Sequence, residues 1–201
     1  EVDSEIIVSS DHKTKKRVVG TYPVTPSQGL KQRTYHVAGY LLPDGLSSED
    51  HLGMMAFGSA MSGFSGSPLK RSLLEAKVCT DVSVDVQVLK VPSLVVFCEG
   101  SEPGKAEQFR NITRRSFSVV AKEGFDSDLI LAALNKVEFE RREYSSIHRG
   151  LILMRRVLNS WLYGGSPLKY VTFDKEFAAL RKKLDSPYFQ KLAAKHVVAN
   201  T

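Results

Sequence analysis

Five histidines, His12, His36, His51, His148 and His196, are the side chains of this chain best suited to hold a transition metal. A zinc peptidase needs two of them one helical turn apart and a carboxylate close by, so that three ligands and a general base converge on one ion. No two of the five lie within five residues of each other, and neither His-x-x-Glu-His nor His-Glu-x-x-His occurs. The spacing therefore predicts no metal site in this chain. His148, on a helical stripe, reads as a core or helix-edge histidine.

Nucleophile and phosphate chemistry fare no better. Ser65 and Ser67 sit in a Gly-rich turn, but no Gly-x-Ser-x-Gly surrounds either. The same stretch has neither spacing of a phosphate cradle, so it reads as a helix end followed by a tight turn. The block from Glu138 to Glu143 holds three carboxylates that could do acid–base work. Glu138 and Arg142 are four apart, however, which on a helix makes an ion pair rather than a catalytic dyad. No catalytic residue is predicted.

The net charge is +6, with basic clusters at residues 13–17, Arg141-Arg142, Arg155-Arg156 and Arg181-Lys182-Lys183. Nucleic-acid grooves interleave aromatics with such charges. Here Tyr144 and Trp161 fall on the apolar stripe of a helix instead, and Trp161 reads as core. A solvated basic surface is the expectation, and nucleic acid is disfavoured as a partner. Cys79 and Cys98 are too few for a disulfide framework. A turn near residues 91–93 places Cys98 opposite a residue near 85, so both thiols are expected reduced and buried, in the cytoplasm or an organelle matrix. No apolar run approaches the roughly 18 residues of a membrane span, so no membrane partner is expected.

The elements that must carry these residues follow from hydrophobic period. Residues 5–10, 16–24 and 33–42 read as strands, and 43–45 as a turn. Ser47 is an N-cap candidate for a helix to about residue 62 that is apolar on most faces and therefore buried. Gly53 and Gly58 within it are tolerable where another backbone packs closely. Pro68 opens a short helix to about residue 77. Residues 81–89 alternate as a half-buried strand, paired with 94–99. Helices are expected over 105–123, then from Asp126 through a long region that Gly150 divides and Gly164-Gly165 stops, and finally over about 173–184 and 187–198. This order predicts one α+β domain over residues 1–201, a mostly antiparallel sheet covered by helices.

Three blocks carry a further signal. They are Ser67-Pro68-Leu69 with Leu74-Glu75, Asn135-Lys136-Val137-Glu138 with Arg142-Glu143, and Trp161 with Gly164-Gly165. Their order and spacing over residues 33–198 resemble an internal, non-catalytic domain of the pitrilysin/insulinase metallopeptidases, in the branch that includes the presequence proteases. The resemblance implies a fold like that of mitochondrial processing peptidase subunits. It also implies a parent enzyme whose related domains close around a peptide-holding chamber, with zinc bound in the first domain. This chain corresponds to the second. Its start at Glu1 rather than Met fits a piece of a larger protein. The expected partners are the catalytic domain of the same polypeptide and unfolded peptide substrates. The competing expectation is a stand-alone basic module for nucleic acid or an acidic protein.

Overall fold

The computed structural model describes residues 17–143, apart from 26, 28 and 44, and residues 149–200. The chain divides into two compact units, residues 1–30 and 31–201. The described part of the first unit holds no helix or strand, and Val18 and Val19 stand exposed. The strand expected over 16–24 is therefore absent from residues 17–24. β-branched residues favour a pleated surface, but a strand exists only where another strand accepts its ladder. The strand expected over residues 5–10, together with His12, Asp44, Tyr144 and His148, lies outside the described residues.

The second unit runs β1 (Thr34–Leu41), α1 (Ser48–Ser62), α2 (Pro68–Glu75), β2 (Asp81–Gln87), β3 (Ser93–Ser101), α3 (Ala106–Glu123), α4 (Ser127–Arg142), α5 (Arg149–Trp161), α6 (Asp174–Lys182) and α7 (Tyr188–His196). The sheet order is β1-β3-β2, with both pairs antiparallel. The α+β class with an antiparallel sheet and covering helices is what the sequence predicts.

One sheet face is inside. Val82 and Val84 of β2, Leu94, Val96 and Cys98 of β3 and His36 and Tyr40 of β1 are buried there. The other face shows Tyr35, Val37 and Leu41, all exposed, and Ser83, Asp85 and Gln87 across the sheet. Helix α1 is the centre of the core and packs against α4, β2, α6, α2 and α7. Ser47 caps it as expected, its hydroxyl accepting from the Asp50 N–H at 3.0 Å. Gly58 is required by close approach: a Cβ there would lie 2.6 Å from the Val84 carbonyl oxygen. The expected backbone neighbour is thus real at Gly58. At Gly53 the neighbour is a side chain instead, the Tyr188 hydroxyl.

Two expectations fail in register. Cys98 pairs with Val82, not with a residue near 85, because the hairpin closes around residue 90 rather than 92. The long helical region does not divide at Gly150: α4 ends at Arg142, where Glu143 is extended, and Gly150 lies inside α5. The stop at Gly164-Gly165 holds: the Gly165 N–H reaches the Ser160 carbonyl at 3.0 Å, and the Gly164 N–H reaches that of Trp161 at 3.1 Å. Gly164 has φ +77°, the left-handed conformation that closes a helix in this double hydrogen-bond pattern.

Candidate interaction faces and an enclosed pocket

The block from Asn135 to Arg142 forms a structural tie. Glu138 sits on α4 with a side chain only 16% exposed and accepts from Arg142 at 2.8 Å and Arg181 at 2.5 Å. Arg142 also reaches Asp174 at 2.6 Å, and its guanidinium lies 5.6 Å from the centre of the Phe173 ring. Arg181 donates to Asn135 Oδ1 at 2.8 Å. Burial alone would raise the Glu138 pKa, but the two guanidiniums outweigh it and hold the carboxyl below its usual range. The cluster therefore fastens α6 to α4. A carboxylate held ionised between two arginines is a poor proton donor or base near neutral pH.

The other motif residues also fall in packing roles or on the surface. Ser67 and Leu69 are fully buried, and the Ser67 hydroxyl accepts from the Phe64 N–H at 3.0 Å, closing the turn before α2. Pro68 occupies the first turn of α2. Leu74 is half-buried against the core, while Glu75 and Glu143 are exposed.

Trp161 is a correction. Its spacing predicts core, yet it is among the most exposed aromatics of the described residues. Leu151, Met154, Trp161, Leu162 and Leu168 are each between 52% and 62% exposed. Leu151, Met154 and Trp161 recur at helical spacing, so they share one face of α5, and the exposed Leu162 and Leu168 follow the helix end. The period correctly identified an apolar stripe. It could not say that the stripe faces away from this chain's own core.

A small pocket lies between the first turn of α1, the end of α4 and residues 169–173. Ser48, His51, Arg141, Lys169, Thr172 and Phe173 line it, and its volume is about 10 Å³. His51 is buried at 2% exposure, and its Nε2 has no hydrogen-bond partner among the described residues. Burial first, then the charges of Arg141 and Lys169, push its pKa down to about 3, so the ring is neutral at ordinary pH. The Tyr170 ring lies 4.9 Å from it, and the Ser48 hydroxyl donates to the Lys169 carbonyl at 3.4 Å. Sequence reasoning missed this pocket because its cations come from α4 and a loop, 90 to 118 residues from His51.

Among the described residues no group of three or more His, Cys, Asp or Glu side chains could hold a metal ion. The residues present do not fit zinc. Cys79 and Cys98 are both free and buried. They are closer than the expected register allowed: a hydrogen bond between the thiols lowers the Cys79 pKa and, with burial, raises that of Cys98.

The family model described as the peptidase M16 inactive domain matches residues 8–137. The chain is 29% identical over 204 residues to protein HypA of Clostridium perfringens, covering 100% of this chain and 21% of that protein. It is 26% identical over 190 residues to presequence protease 1, chloroplastic/mitochondrial, of Arabidopsis thaliana, covering 88% of this chain and 18% of that one. The chain thus spans about a fifth of the length of these curated relatives. Its fold matches the crystal structure of the inactive peptidase domain of a candidate zinc protease from Bordetella parapertussis, with TM-score 0.61 at 14% identity, over 86% of this chain and 93% of that one. The family match, spanning more than half the residues, makes this chain a member of the peptidase M16 inactive-domain family.

Proposed function

We propose that the chain is the non-catalytic second domain of a longer zinc metallopeptidase that cleaves unfolded peptides, and that it docks on the catalytic domain of the same polypeptide and helps wall the substrate chamber. The observation that carries this reading is the uncovered apolar stripe of Leu151, Met154, Trp161, Leu162 and Leu168. Exposed apolar side chains gathered on one helix face are the feature of an interaction surface. The inactive-domain family and the length of the relatives support a catalytic domain as the partner in this reading. Zinc belongs to the catalytic domain in this reading, and substrate selection is by enclosure rather than by a residue of this chain.

The test is reconstitution. The 201-residue chain and the remainder of its parent polypeptide are purified separately, mixed, and followed by size-exclusion chromatography and by cleavage of an unfolded peptide. The expected result is a one-to-one complex in which zinc-dependent cleavage is restored. A remainder that cleaves at full rate alone and never binds this chain overturns the proposal.

A further inference from the structure

The pocket beside His51 has a chemistry that neither docking nor peptide enclosure uses. Among the described residues its wall carries two cationic side chains, Arg141 and Lys169, two hydroxyls, Ser48 and Thr172, and no carboxylate. It lies at the first turn of α1, a fifteen-residue helix whose unpaired N–H groups add partial positive charge. The acidic residues of that turn are engaged elsewhere. Glu49 pairs with Lys183, and Asp50 accepts from the Tyr188 hydroxyl at 2.7 Å.

His51, one of the residues lining this positive surround, has a buried ring nitrogen that lacks a partner among the described residues. Buried polar atoms are almost always satisfied, so a ring nitrogen so placed calls for an acceptor or a donor. A cation is repelled by the wall. A volume of about 10 Å³ is enough for one small group and favours a compact ligand.

We infer that this pocket binds one small monovalent anion of the halide class, accepting from the His51 Nε2–H and held electrostatically by Arg141 and Lys169. The neutral ring acts as a donor and need not be charged. The bound anion would tie the first turn of α1 to the end of α4 and to the loop after the exposed stripe.

Two measurements test it together. Crystals of the chain are soaked in sodium bromide and examined for anomalous scattering, and melting is compared in sodium chloride and sodium gluconate at equal ionic strength. The expected result is a bromide peak in hydrogen-bonding reach of His51 Nε2. Tm should rise by about 3 °C in chloride at ten times its Kd. His51→Phe, which removes the donor and fills the space, should abolish the rise. Lys169→Met, on the accessible rim, should at least halve it if the packed variant fails to fold. Water at the site without bromide overturns the inference. So does an adventitious ion only, seen as a peak without a difference in Tm, or a chloride effect that both variants retain.

Discussion

Helices α1 and α5 are similar in length and both carry apolar residues at close spacing, yet they end in opposite places. Ten of the fifteen residues of α1 are buried. Among the described side chains of α5 only Ser160 is buried. The difference lies in how the apolar residues are distributed. Helix α1 is apolar around most of its circumference, with small residues at Gly53, Ala56, Gly58 and Ala60, and a strand and four helices pack against it. It can only be a core. Helix α5 is amphipathic, with Arg149 and Arg156 opposite its stripe. Amphipathicity says that one face will be covered without saying by which molecule.

The largest expected effect would break the α1 side of this contrast. Phe57 is fully buried, with the Phe117 ring 5.8 Å and the Phe125 ring 5.4 Å from its own. Phe57→Ala should lower unfolding free energy by about 3–5 kcal/mol, because it removes the transfer energy and leaves a cavity among rings that cannot collapse fully. The urea midpoint measures it. A loss under about 1 kcal/mol would mean that α1 is not the centre of the core.

The next effect is a pH dependence on the same helix. His51 has an ordinary pKa of 6.5 when exposed and one near 3 in the fold. Between those values the unfolded chain binds a proton that the native ring refuses, so stability falls as pH drops through that window and is unaffected above it. The loss should reach about 3 kcal/mol between pH 6.5 and pH 4. Urea titrations of wild type and His51→Phe in gluconate isolate the contribution, since the remaining carboxylates titrate alike in both. Equal acid sensitivity in the two proteins would show that His51 protonates freely.

Gly58→Ala sharpens the contrast at closer range. Its new methyl would sit 2.6 Å from the Val84 carbonyl oxygen, so helix and strand must part, at a cost of about 1–3 kcal/mol. Gly150→Ala in α5 has nothing within 4 Å of the new Cβ and should gain a few tenths to about 1 kcal/mol from helix propensity. Opposite signs for one substitution on two helices, read from paired urea midpoints, is the expected outcome. A loss at both positions would mean that α5 is packed after all.

What was legible in the sequence follows the same division. The period of Val82, Val84 and Val86, the cap at Ser47 and the Gly164-Gly165 stop act over a few residues, and each appears where local chemistry puts it. The Glu138–Arg142 pair is equally local. Features that depend on distant segments were not legible. The hairpin register, set by a two-residue difference in where the turn closes, moved the partner of Cys98. The lysine and arginine beside His51 arrive from far along the chain. The run at Val18-Val19 has strand propensity, but propensity does not supply a partner.

The smallest expected effect on stability is the most informative about α5. Trp161 is 62% exposed, so Trp161→Ser should change the unfolding free energy of this chain by no more than about 0.5 kcal/mol. If the stripe is a docking face, the same substitution should weaken association with the rest of the parent by about 2 kcal/mol or more, which is roughly 30-fold in Kd, because buried tryptophans dominate interfaces. The two readouts must separate. A large loss of stability without loss of binding would return Trp161 to the core. Loss of neither would leave the apolar face of α5 with no part in docking, and the contrast between the two helices would then have to be explained within this chain.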